Sequence, residues 1–172
     1  MEKNELKSMP SLEETLRSLE GKVCWSVIAG RGTGSHVSMH FGKKIPMSRP
    51  LKNTKLTEEE RNFEGEFGLF IQMCSWRLED GESVICSCHS PNDEGEEMLF
   101  GLKFIIGKKL LSAKVKNVGK DLDLLFEKNI KLLIFSTQMQ NGYHDYSVFH
   151  TGNFSLIVGP KGHVAYETNE PT

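Results

Sequence analysis

Two stretches of this chain, 86 residues apart, carry the same order of structural signals, and a repeated unit of this kind leaves few folds open. Ser11-Leu-Glu-Glu14 has the residues of a capping box, in which the serine hydroxyl accepts from the Glu14 N–H and the glutamate reaches back. Leu12, Leu16 and Leu19 then fall on one face of a short helix, and Gly21 supplies its left-handed stop. Met98, Leu102 and Ile105 repeat that stripe, and Gly107-Lys108 repeats Gly21-Lys22.

The strand signals after each helix match as well. Val23–Ala29 predicts a strand, and Val37, Met39 and Phe41 alternate with Ser38 and His40 as in a strand with one buried face. Leu110–Val115 and the alternating Leu122, Leu124 and Phe126 take the same places in the second stretch, and Phe67–Ile71 and Ile130–Phe135 give each a third strand. Each stretch closes on a hairpin that begins at an aromatic residue: Trp76 through Gly81 to Ile85, and Tyr146 through Gly152 to Ile157. The expected fold class is α+β. Two pseudo-repeated helix-plus-four-strand halves, 11–90 and 95–168, form one domain over 1–172, an antiparallel sheet flanked by two helices. Neither half is long enough to bury a core alone.

The halves differ by insertion. Phe41 and Leu69 enclose 27 residues where Phe126 and Leu132 enclose 5, so the first half carries an insertion over 43–65. The second has its own extra stretch, Ser136 to Asp145. Long irregular connections in a compact domain are more often functional than decorative. Thr57-Glu-Glu-Glu60 is a second capping box and predicts a helical turn inside the first insertion.

Charge is segregated. From Lys22 to Lys55 there are seven basic residues and no acid; from Glu58 to Glu97 there are twelve acids against Arg61 and Arg77. The overall balance of −2 with 38% hydrophobic residues excludes a disordered chain, and the acidic block argues against nucleic acid as a partner. No apolar run approaches the ~18–20 residues of a membrane span, and Met1–Pro10 lacks the apolar core of a signal peptide. A cytoplasmic protein with no membrane partner is the expectation, and four irregularly spaced cysteines fit reduced thiols there.

Two candidate sites emerge. Gly30 to Ser35 is a glycine-rich turn in which Arg31, Gly32, Thr33, Gly34 and Ser35 offer donors to a phosphate-bearing ligand, with Lys43, Lys44 and Arg49 as further cations. It is neither a P-loop nor a dinucleotide-binding turn, because no GK[ST] follows and a strand stands where a helix is required. The second candidate is the acidic insertion surface, Glu58, Glu59, Glu60 and Glu64 with Phe63 as apolar anchor, suited to a basic protein partner. Cys86-Ser-Cys88, with Cys74 upstream, lacks zinc-ligand spacing and places its thiols on one strand face beside Val84, as core residues; no metal and no cofactor is expected. His36 and His40 fall on the outer, solvated face of their strand, and His144-Asp145 near Cys74 or Ser136 is too thin a constellation for hydrolase chemistry, so no catalytic residue is assigned. Trp76 and Tyr146 serve as packing anchors.

The segments GRGTGS…MHFG and NFEGEFGLF resemble a group of small uncharacterised bacterial proteins over most of the chain. Small acidic-patched α+β proteins of this size also resemble immunity proteins of toxin systems and phage-encoded inhibitors or signal sponges. The resemblance implies a non-enzymatic, immunity-type or anti-defence-type protein-binding module. A small-molecule binder holding a nucleotide-type ligand at the glycine-rich turn is the other class.

Overall fold

The Ser11 hydroxyl accepts from the Glu14 N–H at 3.1 Å, and Glu14 Oε2 accepts from the Ser11 N–H at 2.8 Å. Helix α1 (Leu12–Arg17) starts from this cap in the computed structural model, which describes residues 9–30, 32–93 and 95–168. Leu12, Leu16 and Leu19 are buried as the stripe requires. Gly21 at φ +81° and Gly107 at φ +82° take the left-handed conformation that ends each helical segment. The chain continues through β1 (Cys24–Ile28), β2 (Val37–Pro46), α2 (Glu58–Asn62), β3 (Phe63–Ile71), β4 (Ser75–Glu79), β5 (Val84–Ser87) and α3 (Glu97–Leu102). It ends with β6 (Leu110–Lys116), β7 (Asp121–Phe126), β8 (Ile130–Phe135), β9 (Tyr146–His150), β10 (Phe154–Val158) and β11 (Val164–Thr168).

The protein is mixed α/β, mostly strands in two antiparallel sheets, with few and short helices. One sheet has the order β1-β2-β3-β9-β10-β11 and the other β5-β4-β8-β7-β6. Each sheet thus takes three consecutive strands from one stretch of the chain and a hairpin from the other. The expectation of one sheet is corrected to two, and five strands rather than four follow each of α1 and α3, with β11 in addition. The exchange explains the difference: after β3 and after β8 the chain leaves its own sheet, and its hairpin finds a free edge on the other. The register agrees, with Trp76 opposite Ile134 and Tyr146 opposite Ile71.

A single core lies between the sheets, where Phe41 stacks on Phe126 at 6.3 Å. Beside it the starts of β1 and β6 are stitched together around an isolated bridge, Val23 to Lys109. The Gly21 N–H donates to the Leu110 carbonyl at 2.7 Å and the Gly107 N–H to the Cys24 carbonyl at 2.7 Å. The Cys24 N–H donates to Lys108 at 2.9 Å, and the Leu110 N–H to Lys22 at 3.0 Å. Each bond becomes its counterpart on moving both residues by the spacing of 86. The hairpin aromatics behave alike: the Trp76 indole donates to the Ser35 carbonyl at 2.9 Å and the Tyr146 hydroxyl to the Lys120 carbonyl at 2.7 Å. Both side chains tie a β-turn to the core.

The helices do not lie across one sheet face. α1 packs on β6 and β9, α3 on β5, and the turn Lys103–Ile105 on β1, so α1 and α3 sit at the two edges of the five-stranded sheet. The insertion over 43–65 is narrower than the sequence spacing implies. Its ends continue the β2–β3 ladder past a bulge, with Lys44 opposite Gly65, Ile45 opposite Glu64 and Pro46 opposite Phe63. Only residues 47–62 leave the sheet.

Candidate functional site

The face of the six-stranded sheet that points away from the core differs in kind from its counterpart on the other sheet. Two outward rows cross its first five strands, Ser26, His40, Gly68, Phe149, Ser155, and Ile28, Ser38, Phe70, Ser147, Ile157, and reach Glu167 and Ala165 on the edge strand β11. None of the ten side chains on β1, β2, β3, β9 and β10 carries a fixed charge; Glu167 on β11 does. The equivalent rows of the five-stranded sheet read Ser112, Leu125, Lys131, Glu79, Val84 and Lys114, Asp123, Leu133, Arg77, Ser87, so half their members are charged. That second face is laced by pairs such as Lys116 with Asp123 at 2.7 Å, an ordinary solvated surface.

On the outward face of the six-stranded sheet the aromatic groups are packed on one another. Trp25 sits at a β-bulge in β1, where the register slips between Cys24 and Ser26, and its ring lies 5.5 Å from the His40 imidazole. His40 meets Phe149 edge-on at 6.1 Å, and His36 meets Phe70 edge-on at 5.8 Å. The Phe149 ring occupies the space a side chain at Gly68 would fill. The expectation that His36 and His40 are solvated is corrected: both are half-buried. His40 Nδ1 accepts the Gly65 N–H at 2.9 Å, and burial holds its imidazole below the ordinary 6.5 against the pull of the nearby Glu60 carboxylate.

Helix α2 is tied onto this face. Thr57 and Glu60 form the expected capping box, and Glu60 Oε1 also accepts the hydroxyl of the buried Ser26 at 2.9 Å. Lys44 pairs with Glu59 and lies 5.2 Å over the Trp25 ring. The loop before α2 is held by Met47 and Leu51, whose N–H groups donate to Asn62 and Arg61. Two buried donors here, Trp25 Nε1 and Arg61 Nε, have no acceptor among the described residues. Of the acidic candidates, Glu59 and Glu60 are therefore engaged internally, Glu58 stays exposed, and Phe63 and Glu64 are half-buried strand residues. Burial raises the Glu64 carboxyl.

The structure does not bring the anion-site candidates together. Lys43, Lys44 and Arg49 lie at or beyond one end of β2, and the glycine-rich turn lies at the other. Thr33 bonds back to the Gly30 carbonyl, Asn92 donates to the Gly34 carbonyl and Trp76 to that of Ser35, so the turn presents carbonyls to its surroundings. Gly32 and Gly34 have positive φ, and Arg31 lies outside the described residues. Next to the turn is a cleft of about 470 Å3, lined among others by Cys74, Cys88, His89, Asn92 and Thr137. Burial pushes the Cys74 thiol up, and the Cys24 and Cys86 thiols to about 12. Cys86 is buried as expected, but the bulge opposite Glu79 turns Val84 outward, and Cys88 lies beyond the strand at the cleft. Among the described residues no group of three or more His, Cys, Asp or Glu is placed to hold a metal ion.

The hydrolase constellation is likewise dispersed. The Ser136 hydroxyl donates to the Lys120 carbonyl and the Cys74 thiol to that of Asp145. The Asp145 carboxylate is fully buried and receives the N–H groups of Thr137 and Gln138, both at 3.0 Å. It orders the second extra stretch rather than an imidazole.

Sequence reasoning passed over Trp25, Phe70 and Phe149 because it followed the inward residues of each strand. The signal was present at the alternate positions: Ser147, Phe149, Ser155 and Ile157 are small, aromatic or aliphatic where a solvated face would carry charge. Comparison with protein-family models, curated proteins and solved structures returns no match for this chain. No helix among the described residues is long and apolar enough to cross a membrane.

Proposed function

We propose that the chain is a non-enzymatic binding module that receives a protein partner on the outward face of the six-stranded sheet, beside α2. The observation that carries this reading is the absence of charge from ten outward positions on β1, β2, β3, β9 and β10, against five charged positions in the equivalent rows of the other sheet. Interface centres are depleted in charge and enriched in aromatic residues, and Trp25, Phe70 and Phe149 supply such a centre. Glu58 on the exposed first turn of α2 stands at the rim, where an acid steers a basic partner, as in a toxin-neutralising protein. The two halves are copies of one unit in this reading, supported by the exchanged hairpins and the matched hydrogen bonds around Val23 and Lys109. The strands of the face recur in both copies, while α2 and its loop, which flank it, have no equivalent between β7 and β8.

The test is affinity capture from native cytosol with three baits: the wild type, Ser38→Lys with Ser147→Lys, and Lys114→Glu as a control on the other sheet. Wild type and control are expected to retain the same protein, and the charged-face bait to lose it. Identical capture by all three baits overturns the proposal. Thermal stabilisation by a nucleotide, about 2–4 kcal/mol when the ligand is far above its Kd, would overturn it in favour of a site at the glycine-rich turn.

A further inference from the structure

We infer that α3 and the turn after it form a self-association face on which a second copy of this chain docks antiparallel across a two-fold axis. The helix is apolar on both sides. Met98, Gly101, Leu102 and Ile105 face the core, with Gly101 so close to Cys86 that a Cβ there would stand 2.6 Å from its Sγ. On the opposite side Phe100 is 66% exposed and Phe104 45%, stacked edge-on at 6.0 Å, and Ile106 continues the apolar strip at 38%. Residues four apart share a helix face, so the two rings form one patch. At the positions 86 residues earlier, α1 carries Glu14 and Ser18, both exposed and polar. Solvent-facing aromatics therefore distinguish α3 from the helix it otherwise matches, and such a patch marks an interaction surface.

Charge along the strip identifies the occupant. Exposed Glu96 and Glu97 stand at its start and Lys108 and Lys109 at its end, with exposed Lys103 at its middle between the two phenylalanines. A two-fold axis near Leu102 lays Phe100 of one copy on Phe104 of the other and brings Glu96 of one beside Lys108 of the other, twice over. A surface acidic at one end and basic at the other is complementary to itself in that antiparallel arrangement, which is the requirement of an isologous dimer. A recess of about 690 Å3, lined by Ile106, Lys108, Leu111, Glu127 and Lys128, borders the far end of the strip.

The experiment is sedimentation equilibrium of the full chain over a range of concentrations, at low and high salt. A monomer–dimer equilibrium that weakens with salt is expected. Phe100→Glu with Phe104→Ser, the residues α1 carries, raises the dimer dissociation constant by about tenfold or more while leaving the melting temperature of the monomer near that of the wild type. Glu96→Lys and Lys108→Glu each weaken the dimer alone and restore it together. A monomer at every concentration overturns the inference, as does a dimer indifferent to the Phe100 and Phe104 changes or a double charge exchange that fails to restore association.

Discussion

The tip of the Phe149 ring sits over Gly68. The two residues face each other between β3 and β9, and a Cβ built on Gly68 would stand 1.8 Å from the ring's Cζ. An aromatic ring over a glycine of the neighbouring strand covers backbone that would otherwise face water, and here it also meets the His40 imidazole edge-on.

Gly68→Ala is expected to push the Phe149 ring off the sheet, because the ring end is the part free to move. The cost is about 1–3 kcal/mol, the usual range for overpacking, and urea unfolding measures it. Pairing the change with Phe149→Ala should recover part of the loss, since the clash is then absent. Equal stability of wild type and Gly68→Ala would show that the ring carries no packing energy there.

His40 makes the fold sensitive to acid. Its imidazole is held below the ordinary 6.5 by burial, so the neutral form belongs to the folded state, and protonation at Nδ1 removes the acceptor of the Gly65 N–H. For a base lowered on folding, the stabilisation is present above the ordinary value and is lost as pH falls through the folded one. The unfolding free energy is expected to drop on acidification below 6.5, and His40→Gln, which keeps an acceptor, to flatten that slope. Parallel pH profiles for the two proteins would exclude His40 as the cause.

Asp145 acts in the opposite sense. Burial raises its carboxyl above the ordinary 3.8, although the Thr137 and Gln138 N–H groups pull the other way. An acid raised on folding contributes stability that is present below the ordinary value and lost as pH rises through the folded one. Asp145→Asn keeps an oxygen for both N–H donors and carries no charge to desolvate. Its stability relative to the wild type is expected to improve as pH rises from 3.8 and then level off. A difference that does not vary with pH would contradict this. Asp145→Ala, by contrast, leaves two donors unpaired and is expected to lose about 1–3 kcal/mol or more at any pH.

Local chemistry wrote much of this protein directly into its amino-acid order. The capping boxes at Ser11 and Thr57, the left-handed stops at Gly21 and Gly107 and the alternating inward residues of β2 and β7 all arise from neighbours a few positions apart, and each forms as its spacing requires. Which strand pairs with which is another matter. A strand edge offers the same N–H and C=O groups to any neighbour, so nothing in the β4–β5 or β9–β10 hairpins themselves states that each joins the other half's sheet. That exchange divided one expected sheet into two and set Phe149 over Gly68. With the bulge at Trp25 and the docking of α2, it turned His40 from an outward residue into a covered one. Burial depends on what arrives from far along the chain, and only the assembled tertiary structure supplies it.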